Sequence, residues 1–146
     1  KDFLKKFTYI PDEHTFTLRL CSGQWNFDAH FDCVDNTIVM LDGYKTILLF
    51  DIYGHPSERD IVDQMKSKTI KQSKDILDSY NISWECVTVK KNENMRIRKR
   101  LYHMVESRVP SILLNINDGS DGTCEKHFCG LFAEQNENCK DNFCLD

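Results

Sequence analysis

The run Lys45-Thr46-Ile47-Leu48-Leu49-Phe50-Asp51-Ile52-Tyr53 constrains the fold most, because its centre is apolar at consecutive positions rather than at alternate ones. A strand with one wet face alternates, so this run predicts a strand covered on both faces, of the kind found in parallel or mixed sheets flanked by helices. It is too short to span a bilayer and Asp51 interrupts it. The 146 residues, 40% hydrophobic with only six Gly and three Pro, are enough for one packed core and exclude collagen, low-complexity disorder and a coiled coil. A net charge of −4 argues against binding to a nucleic-acid backbone.

Around this run, Phe16-Thr17-Leu18-Arg19-Leu20 and the segment from Trp25 to Cys33 alternate like half-buried strands. In the second, Trp25, Phe27, Ala29, Phe31 and Cys33 share one side, and Asn26, Asp28, His30 and Asp32 the other. Pro56, Ser57 and Glu58 open a helix. Ile61, Val62, Met65, Thr69, Ile76 and Tyr80 continue its apolar stripe to Asn81, with a break expected near Lys71. A strand follows over residues 82–89. Asn92, Glu93 and Asn94 cap a second predicted helix with Ile97, Leu101, Met104 and Val105 inside, ended by Val109-Pro110 and followed by a strand over 111–116. This order predicts an α/β three-layer fold with a central mixed sheet.

Seven cysteines are unevenly placed: Cys21, Cys33 and Cys86, then Cys124, Cys129, Cys139 and Cys144 in a polar, turn-rich tail. Such a tail reads as a disulfide-stapled extension over 123–146, following a domain over 1–122, in a secreted protein or the extracellular part of a membrane protein. The expected pairing joins Cys21 to Cys33 and the last four among themselves, leaving Cys86 buried and inert or bonded elsewhere. Asn81-Ile82-Ser83 is an N-glycosylation acceptor.

A Pro introducing a strand after the second helix resembles the thioredoxin fold. Cys21 followed by Trp25, Met40-Leu41 and Gly43 before the buried strand, Asn81-Ile82-Ser83-Trp84, and Val109-Pro110 are together most similar to the N-terminal domain of selenoprotein P. The resemblance places Val109, Pro110 and Ser111 at the loop that carries a cis-proline in that family. It places Tyr53-Gly54-His55-Pro56 where active relatives carry their redox Cys, and this window has none. It therefore implies a redox-inactive module, not an enzyme, that binds a protein partner through Tyr53, Gly54, His55, Val109, Pro110 and Ser111. The partner expected is a cell-surface receptor or another domain of the same protein, with no nucleic acid and no membrane insertion.

Two alternatives accompany that reading. One is a secreted oxidoreductase or peroxidase using displaced cysteines, Cys86 or the pair Cys124 and Cys129. The other is glycan binding by Arg96, Lys99 and Arg100 on the predicted basic helix over 95–108. Asp28, His30 and Asp32 could ligate a divalent ion, but they match the wet face of a strand, and no metal or cofactor is assigned.

Overall fold

The computed structural model describes residues 14–118. They form eight strands and two helices in the order β1 (His14–Cys21), β2 (Trp25–His30), β3 (Asp35–Asp42), β4 (Tyr44–Phe50), α1 (Glu58–Met65), α2 (Ile70–Ser79), β5 (Trp84–Lys90), β6 (Asn94–Ile97), β7 (Tyr102–Ser107) and β8 (Ser111–Asp118). Two four-stranded sheets carry the strand orders β1-β8-β3-β6 and β2-β7-β4-β5. Every pairing is antiparallel. β1 pairs with β8, β2 with β7, β3 with β6 and β4 with β5, so the chain is a long hairpin ribbon wrapped into a two-sheet jelly roll. The helices sit at the tip of that ribbon, between β4 and β5.

This architecture overturns the α/β thioredoxin-like expectation and the resemblance to the N-terminal domain of selenoprotein P. No parallel pairing exists among the described residues, and residues 92–109 form β6 and β7 instead of a helix. The misleading signal came from β7, which is buried on both faces. Tyr102 and Met104 face the helices, while Leu101 and Val105 pack between the sheets. With Ile97 in β6, these residues mimic helical spacing, yet Ile97 pairs with Asn36 across a ladder. The expected single long helix is two, separated at 66–69 by Ser67 at φ 56° and restarted by the Thr69–Gln72 capping box.

Why β4 is apolar at every central position follows from its two covers. Leu48 and Phe50 pack with Ile61, Met65, Leu77, Tyr102 and Met104 beneath the helices. Ile47 and Leu49 pack with Ile38, Met40, Val89 and Leu113 between the sheets. The expectation of two buried faces therefore holds; the sheet is antiparallel and helices cover only one side of it.

The expected function falls with the fold. Val109 and Pro110 lie in the turn between β7 and β8 and Ser111 opens β8, and no peptide bond among the described residues is cis. Its backbone packs so tightly on Gly43 (φ 73°) that a Cβ there would lie 2.5 Å from the Pro110 carbonyl oxygen. A redox-inactive thioredoxin-like module is thus excluded, and the basic helix over 95–108 does not exist. Cys21 and Cys86 are free thiols, so the expected bridge between Cys21 and Cys33 is absent, and Cys86 is exposed on the edge strand β5 rather than buried. Cys124, Cys129, Cys139 and Cys144 lie outside the described residues.

Candidate functional site

Strict alternation along β2 sets His30 on the face opposite Trp25 and Phe27. The ladder to β7 breaks that rule: Phe27 pairs with Val105 and His30 with His103, so β2 spends one residue more than its partner. A bulge of this kind re-aims a side chain. Ala29 and Phe31 turn toward the helices, and His30 turns inward beside Phe27, with ring centroids 4.3 Å apart. Its other neighbour is His103 of β7, at 4.1 Å.

Both imidazoles are fixed by backbone carbonyls. His30 Nδ1 donates to the Asp28 carbonyl at 2.9 Å and His103 Nδ1 to the Leu101 carbonyl at 3.1 Å. With Nδ1 committed as a donor, Nε2 is the nitrogen of each ring that is left for a further ligand. Burial, followed by the neighbouring His103, pushes the His30 pKa down to about 3, against the opposing pull of Asp32. Asp32, in the β2–β3 connection, completes the group: its Oδ2 lies 3.8 Å from His103 Nε2 and accepts from Asn36 Nδ2 at 2.9 Å. One donor atom from each of His30, Asp32 and His103 lies within 4.8 Å of the others. Asp28, expected beside His30, is instead engaged at Oδ1 by the Ser67 N–H.

The cluster is the inner end of a cavity of about 520 Å³ between the sheets, whose mouth is formed by residues 20–25. An aromatic row runs inward from Trp25 through Phe27, 5.3 Å apart, to the two histidines. Two cations stand along it, Lys45 Nζ 5.1 Å from the centre of Trp25 and the Arg19 guanidinium 5.6 Å from that of Phe27. Lys45 is only 2% exposed, and burial lowers its pKa. Arg19 Nε, Asn36 Oδ1 and Asn115 Oδ1 are buried without a hydrogen-bond partner. All three side chains line the cavity. Burial pushes the Cys21 thiol up, but the Gly23 N–H, the Ser107 hydroxyl, the Lys45 charge and the Ser111 hydroxyl outweigh it and leave the pKa below the ordinary thiol value.

The residues expected to form one partner-binding surface lie at opposite ends of β4. Gly43, just before β4, contacts Pro110 and Ser111, whereas Tyr53, Gly54 and His55 follow its far end and lead into α1. There the Arg100 guanidinium lies 5.0 Å from the Tyr53 ring, and the Gly54 N–H donates to Glu58. Of the expected basic patch, Arg96 is held by Asp35 and Asp118, both at 2.8 Å, and the Lys99 N–H donates to the same Asp35. Asn81 sits in the exposed turn after α2. Sequence reading missed Arg19, Lys45, Asn36, His103 and Asn115. The available signal was Arg19 and Lys45 as charged breaks in otherwise apolar strands.

No protein-family model matches the chain, and no curated protein matches it in sequence. Solved structures with a similar chain path include a cupin-2 domain containing protein from Shewanella frigidimarina, at 13% identity and TM-score 0.46, covering 80% of this chain and 89% of that one. A cupin superfamily protein from Desulfitobacterium hafniense matches at 9% identity and TM-score 0.47, covering 77% and 72%. Hydroquinone 1,2-dioxygenase from Sphingomonas sp. TTNP3 matches at 11% identity and TM-score 0.49, covering 76% and 63%. The strand pairing itself, not these distant likenesses, defines the jelly roll.

Proposed function

We propose that this jelly-roll domain binds one divalent transition-metal ion through His30 Nε2, His103 Nε2 and the Asp32 carboxylate, and presents it to a small molecule entering past Cys21 and Trp25. One observation carries the reading. Two imidazoles from paired strands have their Nδ1 protons committed to backbone carbonyls, which leaves Nε2 of each as the ligating nitrogen, and the two rings gather with a carboxylate within 4.8 Å. Backbone acceptors on Nδ1 are the usual outer support of metal-ligating histidines. Two histidines and one carboxylate suit Fe, Mn, Co or Zn and leave coordination positions open.

The chain's own groups divide the work. Asn36 orients Asp32 through its amide N–H, and the β2 bulge holds His30 inward. Trp25 and Phe27 wall the approach. A bound ion supplies Lewis acidity toward an oxygen of the incoming molecule. A cavity of this volume lies within the range of small-molecule sites, and its lining mixes apolar side chains such as Trp25, Phe27 and Leu113 with polar and charged ones.

Cobalt titration of chelator-stripped protein tests the proposal. One equivalent binds with visible absorption free of a thiolate charge-transfer band, and His103→Asn or His30→Asn weakens it by roughly 10-fold or more. Binding unchanged in both variants, or a thiolate band showing that the metal sits on cysteines, defeats it.

A further inference from the structure

The cavity holds more positive charge than its walls neutralise. Arg19 comes from β1 and Lys45 from β4, one from each sheet, and both line the same cavity. Neither forms an ion pair with a carboxylate among the described residues. Lys45 is 98% shielded from solvent, and Arg19 Nε is buried with no acceptor. A buried cation without a counter-ion is costly, and so is an unsatisfied buried donor. Lys45 could have been an aliphatic residue like its β4 neighbours Ile47 and Leu49 at no loss of packing. The two charges also repel, since Arg19 lowers the Lys45 pKa further.

Inorganic phosphate and sulfate, which carry no apolar body, suit the site less well than an organic carboxylate does. The flanking surfaces are the rings of Trp25 and Phe27 and the side chains of Val105 and Leu113, which favour an anion carrying an apolar body. On the opposite wall Asn36 is oriented by its bond to Asp32, which leaves its Oδ1 as an open acceptor, as is Asn115 Oδ1. A hydroxyl or amino group on the same molecule satisfies them. We infer that the cavity takes a small organic carboxylate, its carboxylate seated between Arg19 and Lys45 at the mouth and its body along the aromatic row toward His30 and His103. The inference rests on the proposed function for what happens at the inner end, but the anion seat needs no metal.

Cys21 provides an internal reporter, because it is a free, half-buried thiol on the same mouth, and exposed Cys86 provides the control. The full chain, stripped with a chelator, is alkylated with iodoacetate or iodoacetamide, and modification is mapped peptide by peptide. Comparing the two reagents at one thiol cancels its thiolate fraction. The expected iodoacetate-to-iodoacetamide rate ratio is about 10-fold higher at Cys21 than at Cys86, as local focusing of anions by fixed cations allows. Arg19→Gln and Lys45→Met each lower it, and the double variant brings it to the Cys86 value. Equal ratios at the two thiols, or a Cys21 ratio unchanged in the double variant, overturn the inference. Lys45→Met replaces a buried charge with an apolar side chain of similar length, and Arg19→Gln stands in if that variant does not fold. Chelator-stripped protein makes the readout independent of the metal: preference without cobalt binding keeps the anion seat and removes the metal centre, and the reverse result removes only the seat.

Discussion

The two faces of the sheet β2-β7-β4-β5 are built to opposite specifications. Beneath the helices, Leu48, Phe50, Ile52, Ile61, Met65, Leu77, Tyr102 and Met104 close a dry core, and its polar edge is satisfied by the 2.6 Å bond from the Tyr102 hydroxyl to Glu58. On the inner face the same strands offer Lys45, His30 and His103 to a cavity whose buried polar atoms are left open. On β4, Leu48 and Phe50 serve the helix-covered core alone, while the other parity places Lys45 at the cavity and Ile47 and Leu49 in the core between the sheets. The lesson is that the polar residues between the sheets are not packing errors: both sheets contribute them to the one cavity, whereas the unpartnered buried atom described on the helix-covered face is the small hydroxyl of Ser73.

Substitution on the closed face should cost most. Phe50→Ala is expected to lose about 3–5 kcal/mol in urea unfolding, since a stacked aromatic neighbour of Tyr102 leaves a cavity that the helices cannot fill. A loss below about 1 kcal/mol would show that the helix layer is not a true core. Next comes the junction between the sheets: Gly43→Ala combines a positive φ with a Cβ driven into the Pro110 carbonyl, for about 1–3 kcal/mol. The same change at Gly54, which has open space around it, should cost less.

Acidification tests the open face. The His30 pKa is depressed in the folded state relative to the ordinary value near 6.5, so the folded form binds its proton less readily than the unfolded form. Its contribution to stability is complete above about pH 6.5 and is lost as the pH falls toward 3, at a slope of at most about 1.4 kcal/mol per pH unit for one group. Urea midpoints of chelator-stripped protein at pH 7, 5.5 and 4.5 should therefore fall, and His30→Gln should flatten that fall. The facing charges are Asp32, His103 and Arg19, while Asp35 and Asp42, held below the ordinary carboxylate value by Lys99, Arg96 and Lys91, titrate lower. Smallest of all is Lys45→Met, expected within about 1 kcal/mol of the parent or more stable, because it removes a buried charge without a partner. A loss like that of Phe50→Ala would break the contrast between the two faces.

Local patterning made most strands legible. The alternation of residues 16–20 and 25–33 and the runs at 45–53, 82–89 and 111–116 overlap β1, β2, β4, β5 and β8 of the fold. The site was far less legible. In β1 the alternation was read with Phe16, Leu18 and Leu20 inside, whereas Leu18 and Leu20 are exposed and Arg19 lines the cavity. Sequence shows which residues share a face but not which face is inward once the interior itself is polar. His103 was hidden in an imagined helix, and His30 was set on the wrong face by a bulge that one extra residue creates.

The sequence by itself determined that β4 is buried on both sides and that the chain punctuates into short strands, because backbone period and burial are encoded within a few neighbouring residues. Tertiary structure alone decided that the covers are a second sheet and a pair of helices, that the pairing is antiparallel, and that Arg19, His30, Asp32, Lys45 and His103 meet. Those outcomes depend on contacts between residues far apart in the chain and on a register shift between β2 and β7, neither of which leaves a local periodic trace.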